Sequence, residues 1–206
     1  MANEHAAEVA RLHISGIDRG FLSRLGPRFL ADLYRAINQG KWGFMFVALD
    51  EEGRLGGYVC GATSVRCLYR SVLLRCGWRY TGTAVKYLLD WPTLRGIVES
   101  VAYPVRTGDK YPDAELLSIV VREDLRGASL ATDLLAVILT ELGTRGCQKV
   151  RLIVGAELAR ANAYYVKNGF KQVGTILSHG RLSNVLVIDV NRPEPVPDGG
   201  RVARGS

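Results

Sequence analysis

Two hydrophobic rhythms alternate along the second half of this chain. Leu130, Ala131, Leu134, Leu135, Ile138 and Leu142 recur at steps of three and four, which places them on one face of an α-helix. The apolar run LLSIVV (116–121) precedes that stripe, and KVRLIV (149–154) follows it; both are short and rich in branched side chains, as strands are. A second helix is predicted roughly from Leu158 to Lys167, stopped by Asn168-Gly169, and two more strands near Gln172–Leu177 and Asn184–Val190. In the first half, Gly26-Pro27 opens a helix whose apolar stripe is Leu30, Leu33, Tyr34 and Ile37. Phe44–Leu49 and Leu55–Ala62 read as a hairpin across the acidic turn Asp50–Arg54.

The stretch from Ile119 to Ala131, IVVREDLRGASLA, joins strand to helix through small residues. A helix N-terminus carries backbone N–H groups with no partner in the helix, and these can hold an anion such as a pyrophosphate. Gly127, Ala128, Ser129 and Ala131 would let such a ligand approach the main chain. Taken alone, the same residues also suit an ordinary strand-to-helix turn.

The order strand, small-residue loop, helix, strand, helix ending in Y-x-x-x-G-F, strand, strand resembles the GCN5-related N-acetyltransferase (GNAT) superfamily over roughly Asp113 to Val190. The resemblance implies an α/β fold with a mixed central sheet flanked by helices. It also implies acetyl-CoA as co-substrate, without a metal. The family's loop, R/Q-x-x-G-x-G/A, stands here as Arg126-Gly127-Ala128-Ser129-Leu130-Ala131, with Ser129 in place of the usual glycine. A serine with helical backbone angles would still present its N–H; one forced to positive φ would be strained. The later motif matches at Ala156, Ala161, Tyr165, Gly169 and Phe170, with Leu158 in place of an asparagine and Asn162 one helical turn further on.

By this resemblance, Arg126 to Ala131 hold the pyrophosphate and the strand carrying Ile119, Val120 and Val121 holds the pantetheine. Asn162 and Tyr165 complete the cofactor contacts. The strands of the family splay here, so that Leu117 to Val121 pair with the pantetheine amides as if with another strand; a fully paired central strand is the alternative. Amine acetylation needs a neutral amine and a proton for the departing thiolate. Tyr165 sits where the family's tyrosine protonates the sulfur, although it could instead be a packing aromatic like Tyr164. Glu115 occupies the place of the general base in the histone-acetylating branch, or is a solvated glutamate at a strand start.

Composition bounds the rest. The 206 residues suit one domain, and 48% hydrophobic with 23% charged residues is a soluble globular balance. No apolar run approaches the roughly 18 residues of a membrane span, and the opening residues carry early acids and no apolar core, so a cytoplasmic protein without a secretory leader is expected. Cys60, Cys67, Cys76 and Cys147 lack C-x-x-C spacing and read as reduced thiols, and His5, His13 and His179 form no metal-ligand pattern.

Domain boundaries are expected at 1–192, with a disordered Pro/Gly-rich tail at 193–206. The segment 65–106 is an insertion ahead of the cofactor strand, holding seven Arg and Lys against Asp90 and Glu99. Two or three amphipathic helices broken near Gly77, Gly82 and Trp91-Pro92 are predicted for it. It reads either as a solvated helical face or as a lid over an anionic acceptor; no nucleic-acid motif accompanies the charge. The resemblance implies an N-acetyltransferase acting by direct attack of a small-molecule or peptide amine, in a family where dimers are common. A non-catalytic acyl-CoA-binding module and an enzyme using a longer acyl donor are the alternatives.

Overall fold

The computed structural model describes residues 4–17, 20–79, 110–127, 129–178 and 180–190. Ala128, His179, the insertion beyond 79 with its breaks near Gly82 and Trp91-Pro92, and the tail 193–206 lie outside them. Six strands form one sheet: β1 (Gly43–Leu49), β2 (Leu55–Ala62), β3 (Glu115–Val121), β4 (Lys149–Gly155), β5 (Lys171–Ser178) and β6 (Arg181–Asp189). Their spatial order is β1-β2-β3-β4-β6-β5. All neighbours are antiparallel except β3 and β4, which are parallel. Among the described residues no helix is long and apolar enough to cross a membrane.

Helices cover both faces. On one side lie α1 (Ala6–Gly16), α2 (Gly26–Asn38) and α3 (Val65–Arg79), packed through Val9, Leu30, Ile37, Val65 and Leu68 against Met45, Cys60 and Val120. On the other lies α4 (Leu130–Thr144), whose Leu134, Leu135, Ile138 and Leu142 are the predicted stripe and are all buried. The nine-residue α5 (Ala159–Lys167) joins it on this face through Ala161, Tyr164 and Tyr165. Beneath α4, strand β2 carries glycines at two positions. A Cβ added at Gly57 would meet Leu134 Cδ1 at 3.0 Å and one at Gly61 would meet Ile138 at 3.1 Å, so these glycines set how closely helix and sheet approach.

Two parts differ from the sequence expectations. Helix α1 was not foreseen, although Ala6, Val9, Ala10 and His13 recur at steps of three and four and are buried. The break predicted near Gly77 is absent: α3 runs through to Arg79. A glycine inside a helix costs about 1 kcal/mol relative to alanine, which is too little to end a helix by itself. The hairpin, α4, β4, α5, β5 and β6 lie where predicted, within a residue or two at most ends.

The sheet opens where the two parallel strands meet. Only Glu115↔Arg151 and Leu116↔Leu152 pair across β3 and β4, whereas β4 and β6 pair over seven positions. The cause is local to β3. Its register with β2 shifts between Cys60 (opposite Ser118) and Gly61 (opposite Leu116), leaving Leu117 as the extra residue of a bulge. A bulge bends its strand and increases the twist, and here it swings β3 from Leu117 onward away from β4.

Candidate active site

The splay leaves backbone groups of β3 without a neighbouring strand. Arg122 N–H donates to Gly56 O at 2.8 Å, so Arg122 faces β2. Residues of a strand alternate in the side to which their N–H and C=O point, so Val120 also faces β2, and Ile119 and Val121 present theirs to the gap beside β4. Unpaired strand groups are costly unless something fills them. An extended chain carrying amides would complete the hydrogen bonding on this side of β3.

The loop at the open end of this slot between β3 and β4 brings main-chain N–H groups to a helix start. After the short 3-10 turn Glu123–Leu125, Arg126 is extended (φ −69°, ψ 141°), and Gly127 turns at φ +91°. That angle favours glycine, and a Cβ there would have nothing within 4 Å, so the space in front of the turn is open. Ser129 is helical (φ −67°, ψ −13°) and starts α4, so replacing glycine at this position brings no strain. Its hydroxyl donates to Asp133 Oδ2 at 2.9 Å rather than capping the helix. The amides of Leu130 and Ala131 lie in the first turn, where no earlier carbonyl of the helix can accept from them. Arg126 is half exposed and loosely held: Nε donates to the Val121 carbonyl at 3.5 Å, and Nη1 lies 4.0 Å from Glu123 Oε1. Arg122, by contrast, is fastened to Asp124, Asp50 and the Leu55 carbonyl, and braces the strand end.

On the α5 side, the Y-x-x-x-G-F motif has a structural reason. Gly169 ends the helix at φ +90°, and the amide of Phe170 folds back to Tyr165 O at 3.1 Å. Phe170 is thereby driven into the core, 1% exposed, where burial of such a ring contributes on the order of 2 kcal/mol. Tyr165 is wedged edge-on between Tyr164 (5.3 Å) and Phe170 (5.6 Å). Burial, reinforced by Tyr164, pushes its phenol above the ordinary tyrosine range, so it keeps its proton. Asn162 uses its amide internally: Nδ2 donates to Gly155 O (2.9 Å) and Leu158 O (2.8 Å), and Oδ1 accepts from Asn184 at 2.8 Å. It thus stitches the start of α5, capped poorly by Leu158, to β4 and β6.

At the apex of the splay, Glu115 and Arg151 form a buried pair, with Arg151 Nε 2.7 Å from Glu115 Oε2 and side-chain exposures of 1% for Arg151 and 10% for Glu115. Burial pushes the Glu115 carboxyl up, and Arg151 opposes that shift. Sequence reading foresaw Glu115 and gave no role to Arg151, which is simply the third residue of an apolar strand.

It also missed a polar cluster on the α1 and α2 face. His13 Nδ1 lies 2.7 Å from Tyr34 Oη and 2.9 Å from Tyr58 Oη, the two phenol oxygens are 2.8 Å apart, and Tyr34 Oη is 3.3 Å from Ser118 Oγ. His13, Tyr34 and Tyr58 are buried, and burial lowers the His13 pKa to about 4. The available signal was His13 in the buried stripe of α1, a polar residue where an apolar one would serve.

Residues 19–170 match the model of the acetyltransferase (GNAT) family. Among solved structures, SsHAT shares 20% identity over 91% of this chain and 94% of its own, with a TM-score of 0.62. An N-acetyltransferase from Staphylococcus aureus Mu50 shares 19% over 90% and 96%, with a TM-score of 0.59. The spermidine/spermine N-acetyltransferase SpeG from Vibrio cholerae shares 14% over 92% and 90%, with a TM-score of 0.55. No curated protein matches. At these identities the structural likenesses speak for the fold, while the family match spans most of the chain: the protein belongs to the GNAT acetyltransferase family.

Proposed function

We propose that this protein transfers an acetyl group from acetyl-CoA to a primary amine by direct attack. Membership of the family implies acyl transfer from an acyl-CoA. The observation that carries the finer reading is the coincidence of the β3–β4 splay with an open turn at Gly127 and the start of α4. Acetyl-CoA is here a substrate with a diphosphate at one end and a pantetheine arm carrying two amides. The amides of the 126–131 loop suit the diphosphate, with the exposed Arg126, held by long contacts to the Val121 carbonyl and Glu123, able to exchange them for it, and Ile119 and Val121 suit the pantetheine. Asn162 keeps α5 in register with the slot. Gly127 and Ala131 leave room for close approach, and Leu130 offers its first-turn amide.

Tyr165 is the proton donor to the departing thiolate. A phenol held protonated by burial is still a better match to a thiolate than water is, because its acidity is nearer that of the thiol. Glu115 is the group that draws the proton from the ammonium, directly or through water; its raised pKa brings a carboxylate nearer the range of an effective base. Cys60, opposite Ser118 on β2, does not compete as a nucleophile, because burial pushes its thiol up to about 12 and leaves it without thiolate.

The acceptor is a small-molecule or peptide amine. Calorimetry with acetyl-CoA, followed by CoA release over a panel of polyamines, amino sugars, amino acids and peptides, tests the reading. Binding with turnover on at least one amine supports it. Binding without turnover on any would favour the non-catalytic module, and failure to bind acetyl-CoA would refute both.

A further inference from the structure

An ion pair buried in a sheet needs a reason beyond stability. Two charges taken out of water give up about as much hydration as they regain from each other, and a well-packed apolar pair of similar size is often at least as stable. Position 151 lies in an otherwise apolar stretch of β4, between Val150 and Leu152, where a branched aliphatic side chain would serve. Arg151 stands there instead, 1% exposed, with Nε 2.7 Å from Glu115 Oε2.

The backbone sets where the pair sits. Glu115↔Arg151 and Leu116↔Leu152 are the pairs of β3 with β4 ahead of the bulge at Leu117, and the Arg151 N–H donates to Ala114 O at 2.9 Å. Leu116 and Leu152 belong to the core under α4. Side chains alternate along a strand, so Glu115 and Arg151 emerge on the opposite face, at the closed end of the slot. Arg151 is fixed from its other side by the β6 ladder, opposite Val187, and by a further interaction besides Glu115. It grips one carboxylate oxygen: among the described residues no hydrogen bond falls on Glu115 Oε1. The carboxylate side chain keeps 10% exposure where the guanidinium side chain keeps 1%, so the acid is the member with an opening. Burial pushes the Glu115 carboxyl toward holding its proton, Arg151 opposes this by charge and hydrogen bond, and Asp113, itself tied to Ser64 and Arg66, adds a smaller upward push.

We infer that Arg151 is a positioning residue for acyl transfer, which grips Oε2 of Glu115 and so presents Oε1, ionised, to the attacking ammonium. This rests on the reading of Glu115 as the base and adds the residue that makes it one. The proton passes from the ammonium nitrogen to Oε1, directly or through water: an N–H bond breaks, an O–H bond forms, and the pair left on nitrogen attacks the thioester carbonyl. A carboxyl that had kept its own proton could not accept another. A planar guanidinium also fixes the plane of the carboxylate, which the point charge of a lysine does not.

The test uses the full chain with saturating acetyl-CoA and the best amine of the panel. The pH profiles of kcat and kcat/KM are measured for wild type, Glu115→Gln, Arg151→Gln and Arg151→Lys. The amine's own ionisation is common to all four, so differences among them belong to the protein. Glu115→Gln should lower kcat about 100-fold and abolish the acid limb that Glu115 contributes. Arg151→Gln removes the charge and should move that limb to higher pH by about one pH unit or more. Arg151→Lys keeps the charge and loses the fork, so the limb should stay near its wild-type place while kcat falls about 10-fold. A role confined to folding would lower the melting temperature of both variants without moving the limb. A limb unmoved in Arg151→Gln, or wild-type turnover in Arg151→Lys, overturns the inference and leaves Glu115 as the base; if Arg151→Gln does not fold, the Arg151→Lys rate decides. A limb and a kcat that survive in Glu115→Gln overturn the base reading and the inference together.

Discussion

Beneath α4 and α5 the sheet is packed almost wholly with apolar side chains, whereas beneath α1 and α2 it buries a histidine and two tyrosines in one hydrogen-bonded cluster. The Glu115–Arg151 pair adds a buried charge pair at the apex of the splay. Apolar burial stabilises without specifying direction; buried polar groups stabilise little and are costly when unpaired. The contrast teaches that the apolar face is the scaffold, and that the buried polar groups gather on the other face and at the apex of the splay, where the proposed reaction would align an amine with a thioester.

The largest effect expected from breaking this contrast is at the ion pair. Arg151→Met leaves the Glu115 carboxylate buried without its cation and should cost about 3–5 kcal/mol in urea unfolding at neutral pH. Because burial raises the Glu115 pKa, the folded state holds that proton to higher pH than the unfolded state does. Acidification should therefore return part of the lost stability in the variant. A loss that does not shrink on acidification would show that packing, not charge, is at stake.

His13 should give the opposite slope. Its folded pKa is about 4 against 6.5 unfolded, so between these values the unfolded chain binds the proton and the native one does not. Stability contributed by neutral His13 is present above pH 6.5 and lost as the pH falls toward 4, by up to about 3 kcal/mol. His13→Gln should flatten that part of the stability–pH curve, measured by denaturant unfolding across the same range.

On the donor side the effects fall on turnover and on acetyl-CoA binding, and are smaller in free energy. Tyr165→Phe should lower kcat about 100-fold while the acetyl-CoA Kd stays within about 2-fold; an unchanged kcat would remove Tyr165 from the chemistry. Gly127→Ala forces an L side chain to φ +91° in open space, so its penalty is conformational, about 1–2 kcal/mol, and should weaken acetyl-CoA binding about 10-fold by calorimetry. Ser129→Ala, which removes only the bond to Asp133, should change that Kd less than 2-fold.

The apolar face was legible in the sequence because its elements announce themselves locally. The α4 stripe, the β-branched runs and the Gly169-Phe170 stop each follow from a helix or strand period or from one backbone angle. The loop was legible too, since Gly127 and the residues after it mark a strand-to-helix junction whatever binds there. The polar face was not, because its meaning is tertiary. His13, Tyr34, Tyr58 and Ser118 come from four elements and are separated by as many as 84 positions where they touch. Arg151 hides inside an apolar strand, and only the parallel pairing brings Glu115 beside it. The bulge that opens the slot depends on the β2–β3 register, which the residues of β3 alone do not encode.

Backbone amide hydrogen exchange with and without saturating acetyl-CoA probes the slot most directly. Ile119 and Val121, whose amides face the gap, should slow markedly on binding, together with Leu130 and Ala131 at the start of α4, while Val120, already facing β2, should change little. Exchange at Ile119 and Val121 that is indifferent to bound acetyl-CoA would contradict a pantetheine lying between β3 and β4.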